Sequence, residues 1–301
     1  MTSQTSSPAL PRAQPQAWTR PAQRRFQSWR RFARNRLAVL ALAIIVLVTL
    51  AAIFAPVLAP FDPAAQETSL SLRPPLTADH LLGTDQYGRD VLSRLLFGAR
   101  VSLSVGLVAV AILIVLGAVF GALAGYYGGN VDSGIMRFVD VMLSIPQFFL
   151  LLAVVAVFGP SLPMTMLIIG LTSWMGTARL VRGQFLSLRV KEFVTAAKVV
   201  GASDLRIIHR HLLVNTMPVI IIQAALSLSF AILVEASLSY LGLGAQPPTA
   251  SWGNMLSDGK NFMRTSWWLT VFPGLAVFVT VLAFNVLGDA LREVLDPRLK
   301  V

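Results

Sequence analysis

The chain has 301 residues, of which 55% are hydrophobic and only 13% charged, with a net charge of +11 and no cysteine. So small a charged fraction excludes an ordinary soluble domain and makes the bilayer the expected solvent. The missing cysteines exclude structural disulfides and thiolate metal sites. The positive charge is segregated by loop, which is a membrane signature rather than a nucleic-acid one.

Residues 1–36 read as a basic cytoplasmic tail, with eight arginines and no acid. Its first half, rich in Pro, Ser and Gln, is expected to be disordered. RRFQSWRRFARNR then sets Phe26, Trp29 and Phe32 among arginines, which suits the headgroup zone. No short apolar core precedes a small-residue cleavage site, so no cleavable signal peptide is expected.

Residues 37–100 form the next unit. Leu37 to about Leu58 is long enough to span a core of about 30 Å, and Pro60 and Pro63 end it. The loop 60–100 carries four basic and five acidic side chains, so it lacks the positive excess of an inner loop and should face outward. Within it, HLLGTDQYGRDVLSRLLFGARVSLSVG is the dense signal. Gly83 and Gly88 mark turns, and Asp90 opens a short amphipathic helix through Val91, Leu92, Leu95 and Leu96.

Residues 101–290 supply five further spans. The second, Val101 to about Leu123, repeats glycine at Gly117, Gly121 and Gly125, spacing that lets another helix backbone approach closely. GYYGGN after it reads as a tight membrane turn; no GK[ST] follows, as a phosphate loop would need. The third runs from about Phe138 to Phe158, with Asp140 near its inner end and a kink expected at Pro146. The fourth, about Met164 to Val181, has Arg179 and Arg182 at its exit.

Between the fourth and fifth spans lies a polar interruption, Lys191 to Asn215 (KEFVTAAKVVGASDLRIIHRHLLVN). Phe193, Ala196, Ala197 and Val200 fall at i, i+3, i+4 and i+7, one face of a short helix. Gly201 follows, where a left-handed residue closes a helix without Cβ strain. Ser203 and Asp204 supply a cap and a negative charge for a second helix. Leu205, Ile208 and Leu212 form its apolar face, and Arg206 and Arg210 a basic stripe elsewhere. Such a helix–Gly–helix hairpin could rest on lipid headgroups or dock a soluble partner.

The fifth span, about Met217 to Leu241, carries Gln223 and Glu235. The sixth, about Trp267 to Leu287, begins with Trp267 and Trp268 at an interface and carries Asn285. Residues 291–301 are a cytoplasmic tail. Asp140, Gln147, Gln223, Glu235 and Asn285 are the polar groups within spans; they are functional candidates, with interhelical hydrogen bonding as the plainer reading. Six spans with both termini inside place the basic segments 1–36 and 182–214 in the cytoplasm, and with them the hairpin 191–215.

The hairpin resembles the cytoplasmic EAA loop of ABC importer permeases, with Ala196, Ala197, Gly201, Ile207, Ile208 and His211-Leu212-Leu213 at matching positions. Thr195 stands where that motif usually has Glu, and Val214 where Pro commonly precedes the Asn. The outer-loop run with Gly83, Thr84, Asp85, Gly88, Arg89 and Asp90, the GYYGG turn, SYLGLGAQPPTASWGNMLSDG and FNVLGDALREVLDPRLK extend the resemblance. From roughly Phe32 onward the chain is similar to the "C"-type subunit of the dipeptide, oligopeptide and nickel branch.

The resemblance implies an all-α, six-helix permease of a bacterial or archaeal inner membrane. Its partners would be a second permease, two cytoplasmic ATPases and an extracytoplasmic substrate-binding protein docking on loops 60–100 and 242–266; no nucleic acid is expected. The ATPases would grip the hairpin around Ala196, Ala197, Gly201, Ser203, Asp204, Leu205, Arg206, Ile207, Ile208 and Arg210. The cargo would be dipeptides or oligopeptides, with nickel or glutathione as alternatives within the branch.

The sequence has no Walker lysine motif, no HExxH and no Cys/His cluster; His80, His209 and His211 are its only histidines. No catalytic, cofactor or metal residue is therefore assigned, and ATP would be used by partner subunits. An ion-coupled secondary transporter would need midplane coupling groups and an internal repeat, which is not evident. A membrane scaffold would have little use for the ordered outer Gly/Pro loop.

Overall fold

The computed structural model describes residues 32–77 and 79–295. Phe26 and Trp29 of the basic tail, and the last residues of the C-terminal tail, lie outside the described residues. Regular structure among the described residues is helical, with two isolated bridges in the loop before residue 91.

The main helices are α1 (Arg36–Ile53), α2 (Val91–Tyr127), α3 (Gly129–Ser144), α4 (Gln147–Phe158), α5 (Leu162–Leu188) and α6 (Glu192–Val199). They are followed by α7 (Asp204–Tyr240), α8 (Trp252–Gly259) and α9 (Trp268–Leu295). Five of these, α1, α2, α5, α7 and α9, are each long and apolar enough to cross a bilayer. The expected third span, about Phe138 to Phe158, exists only as part of the α3–α4 pair, bent by 83°. A kink is expected at Pro146, and the structure carries it as far as a break in the helix. Ile145, before the proline, is extended at φ −88 and ψ 124, because the proline ring disfavours a helical conformation there.

The short amphipathic helix expected at Val91–Leu96 is not separate. It is the first turn and a half of α2, which runs unbroken for 37 residues, about 55 Å. Nothing between Leu96 and Val101 stops it. Gly98 lies within this helix, where a Cβ would sit only 3.1 Å from the Trp252 ring, so the small residue admits α8. At that length α2 exceeds the thickness of the hydrocarbon layer.

Around α2 the packing follows the glycine spacing. A Cβ at Gly117 would lie 2.5 Å from Thr177 Cβ, one at Gly121 2.5 Å from Ala178 O, and one at Gly125 2.5 Å from Phe185 Cβ. All three partners belong to α5. Gly170 of α5 reciprocates beneath Ile112 of α2. Without a hydrophobic force between helices in lipid, this close approach and its dispersion contacts hold the pair together. The main core, including Val105, Ala109, Leu113, Ile169, Ala178 and Leu238, lies where α2, α5 and α7 meet. α9 and α1 close the other side of α7 and α2. Leu37, Leu40, Leu47 and Ile53 remain exposed, as a lipid-facing first helix requires.

Candidate functional site

The hairpin forms where it was expected, and Gly201 is its pivot. Gly201 has φ +79; its N–H donates to Lys198 O at 2.9 Å, and that of Ala202 to Ala197 O at 3.0 Å. That pair of bonds is a Schellman closure of α6, which needs a left-handed residue at this position. The second limb departs from expectation. It is no separate short helix but the N-terminal end of α7, which continues through a π-helical segment, Ile207–Leu213, to Tyr240. Ser203 occupies the N-cap position, yet its side chain makes no capping bond.

The buried faces also differ from the periodic reading. In α6 the fully buried residue is Val194, while Phe193 is 40% and Val200 87% exposed. In the second limb Ile207 and Leu212 are buried, Ile208 partly so, and Leu205 is exposed. The π turns explain the second shift, because their wider winding brings residues five apart toward one side. Val194, Ile207 and Leu212 pack on Val181 and Phe185 of α5 and on Ala122 and Tyr126 of α2. Phe193, Val199, Val200 and Leu205 are thereby left facing outward beside Arg206 and Arg210.

Two contacts fasten this hairpin to α2, two more tie α5 to its neighbours beside it, and sequence reading missed them. Tyr126 Oη donates to Asp204 Oδ1 at 2.6 Å, and Lys198 Nζ lies 5.6 Å above the Tyr126 ring. Arg189 Nη1 donates to Gly125 O and Tyr126 O at 3.2 and 3.3 Å. Arg182 grips Asp132 with two nitrogens, Nη2 to Oδ2 at 2.6 Å. The GYYGG turn, with Gly128 at φ +68 and Gly129 at φ +53, presents Tyr126 to the hairpin. The tyrosine inside it was the available signal.

At the other end of α2 the outer-loop motif builds a buried ion cluster. Gly83 and Gly88 turn at φ +79 and +72, Gly88 because a Cβ would meet the Glu67 backbone. Asp85 Oδ2 accepts from Arg89 Nε at 2.6 Å, with Arg94 Nε at 3.6 Å. Asp258, next to the end of α8, receives Arg89 and Arg94 at 3.1 and 3.3 Å. Asp90 caps α2 through Ser93 N at 2.7 Å and meets His80 Nδ1 at 2.9 Å. Thr84 ties inward too: its O accepts from Trp268 Nε1 at 3.2 Å. Trp268 is therefore buried, and only Trp267 of that pair faces out. The motif joins three segments distant in sequence into one cap.

The polar groups within spans separate into three kinds. Ser102 donates to Glu235 at 2.8 Å, joining α2 to α7, and Ser239 donates to its other oxygen at 2.7 Å. Asn285 accepts from Ser229 at 3.1 Å, joining α9 to α7, and Gln147 donates to Ser173 at 2.6 Å, joining α4 to α5. Apart from the Ser239 bond, which stays within α7, these are interhelical. Gln223 bonds only one turn along its own helix, to Ser227 at 3.2 Å. Asp140 instead pairs with Arg179, and that pair is exposed.

Comparison with known proteins matches the family of binding-protein-dependent transport system inner membrane components to residues 117–301. The N-terminal TM domain of oligopeptide transport permease C matches residues 25–75. A dipeptide transport system permease protein, DppC, from Alkalihalophilus pseudofirmus is 43% identical over 274 residues, covering 91% of this chain and 90% of the relative. Its namesake in Bacillus subtilis is 42% identical, covering 91% and 85%. A probable D,D-dipeptide transport system permease protein, DdpC, from Escherichia coli is 45% identical over 262 residues, covering 87% and 88%.

Proposed function

The chain belongs to the family of binding-protein-dependent transport system inner membrane components, and we propose that it carries peptides, dipeptides foremost, through a pathway shared with a second permease. It is a multi-span transport subunit of the inner membrane rather than an enzyme, and it works in a complex with other subunits. The peptide cargo rests on relatives named for dipeptides and on the match to an oligopeptide permease domain. They favour peptides over nickel or glutathione, and a binding-protein-dependent subunit over an ion-coupled carrier.

In this reading two cytoplasmic ATPases each grip a hairpin, this chain offering residues 191–215. The carrying observation is the geometry of that hairpin. One side is riveted to α2 and α5 through Tyr126–Asp204 and the Val194, Ile207, Leu212 packing. The other exposes Val199, Val200, Leu205, Arg206 and Arg210, with Phe193 beside the His211 ring. An exposed apolar patch rimmed by charge suits a protein contact. Motion of the hairpin would pass along α2, a continuous rod, to the ion cluster at its far end. There loops 60–100 and 242–266 would receive the loaded binding protein.

The test is reconstitution of this chain with its second permease, ATPases and binding protein in liposomes. ATP-dependent dipeptide uptake is expected, together with loss of ATPase retention when Leu205 and Val200 are both replaced by Asp. Retention unchanged by that pair of substitutions would refute the hairpin assignment. Absence of dipeptide uptake by the parent complex would refute the cargo.

A further inference from the structure

Residues 205–213 carry two apolar faces that cannot both point inward in one winding. In the π form Ile207 and Leu212, five positions apart, are fully buried, and Leu205 is 76% exposed. An α-helix turns each residue by about 100°, which would set Ile207 and Leu212 about 140° apart. Leu205, Ile208 and Leu212 would then fall within about 60° of one another, the stripe that their spacing picks out. Leu212 belongs to both faces. The chain therefore offers a buried face to either winding, and the two differ by about one residue of register.

The surroundings admit the change. π segments inside helices often lie at functional sites. Pro218, just past this one, offers no N–H to Val214, so the α-helical ladder is already interrupted on that side. At the junction Asn215 Nδ2 donates to His211 O at 2.6 Å, and Thr216 Oγ1 to Leu212 O at 2.9 Å. These side chains keep both carbonyls satisfied while the backbone bonds beside them exchange. At its other end the limb follows Gly201, where a Cβ would meet nothing within 4 Å, so the reversal has space to turn. Asp204 turns with the limb, which ties the Tyr126 clasp to the π winding.

We propose that residues 207–213 are a two-state joint, and that the hairpin transmits motion by rewinding between π and α about Leu212. In the π form Leu205 faces the ATPase beside Val199 and Val200, and Tyr126 holds Asp204. In the α form Leu205 and Ile208 turn inward, Ile207 turns out and the clasp opens. The limb rotates by about 100° and shifts by about 1.5 Å along its axis. Packed faces settle in discrete arrangements, and the nucleotide states of the ATPase select between them by contacting different sides of the limb. This rests on the ATPase-docking reading above.

The chain has no cysteine, so spin labels can be placed at will in the full complex with cysteine-free partner subunits. One pair joins Ser203 to Ser187 of α5, and a control pair joins Met217, beyond the joint, to Ser187; all three positions are exposed. A turn of about 100° at a side-chain radius of about 5 Å carries the Ser203 label about 8 Å. Between the nucleotide-free and the ATP–vanadate-trapped complex, the first distance should change and the control should hold. Deletion of His209, exposed within the π segment, leaves Ile207 and Leu212 one α-turn apart, so an ordinary helix buries the same two residues and has no second register. That variant should retain the ATPases, hold the Ser203 distance fixed and lose stimulated ATP turnover and dipeptide uptake roughly tenfold. An unchanged Ser203 distance in the parent would overturn the proposal. So would a deletion variant that couples like the parent, or one that sheds the ATPases. If the parent complex itself retains no ATPase, the docking reading fails and the joint falls with it.

Discussion

Gly201→Val tests the hairpin with the fewest side effects, because the structure separates backbone strain from steric clash. Gly201 has φ +79, and a Cβ built there meets nothing within 4 Å. The substitution therefore displaces no neighbour, and its whole cost is conformational. A left-handed residue with a Cβ costs roughly 1–2 kcal/mol, more if β-branched. The two Schellman bonds, at 2.9 and 3.0 Å, depend on that conformation. Relief of the strain would turn α6 relative to the start of α7. A cost of this size shifts the aligned and misaligned hairpin by a factor of about 5–30. The membrane core, anchored by α2 and α5, should be untouched. The expected order of coupling is Gly, then Asn, then Ala, then Val, since Asn tolerates this region best among residues with side chains. Pull-down of the ATPases and substrate-stimulated ATP hydrolysis in reconstituted membranes read it out. Normal coupling by Gly201→Val, or a series in which Asn is worse than Val, would refute the reasoning.

Four further outcomes follow from the geometry. Tyr126→Phe removes the donor to Asp204, a hydrogen bond to a charged group worth about 1.5–3 kcal/mol; stimulated ATP turnover should fall while membrane insertion stays normal, and proteolysis should quicken at the hairpin. Arg206→Glu reverses an exposed charge and should weaken ATPase retention at low salt but little at high salt; a salt-independent effect would count against a charged contact. Gly121→Leu drives a side chain into Ala178 O and Val181, so thermal unfolding in detergent should occur well below the parent's, by the roughly 1–3 kcal/mol typical of overpacking or more. Since the chain has no native cysteine, single cysteines at Ser203 and Asn261, both exposed, should label from opposite sides, Ser203 from the cytoplasm; labelling of both from one side would refute the topology. Ser251, buried in the capping box of α8, would be a poor choice.

The spans were legible because membrane helices satisfy their own backbone and so announce themselves by length and apolarity. The glycine series 117, 121 and 125 even named the tightest helix contact, since only a packed partner explains that spacing. What was not legible came from winding and from distant partners. The periodicity of Leu205, Ile208 and Leu212 assumes 3.6 residues per turn. The π segment changes that count, so Ile207 and Leu212 turn inward and Leu205 outward. Nothing local marks the change. Phe193 and Val200, read as one apolar stripe, both face away from the chain's own core, as the proposed contact with another subunit would require.

The outer motif shows the same limit from the other direction. Asp85, Arg89 and Asp90 stand out in sequence, and Asp90 was recognisable as a helix opener. Their partners are Asp258 and His80, one of them far along the chain, and no spacing rule connects residues 89 and 258. Burying Arg89 and Arg94 is tolerable only because Asp85 and Asp258 accompany them; removal of one partner from such a cluster is costly, whereas the complete set is close to neutral. The cluster is therefore weak evidence for stability and stronger evidence for a fixed geometry. It locks the start of α2 to α8 and, through Thr84 and Trp268, to α9. A rod held this firmly at one end and clasped by Tyr126 to the hairpin at the other cannot rotate at either end alone. In the proposed transporter, that constraint lets an event at the binding protein and an event at the ATPase become one motion.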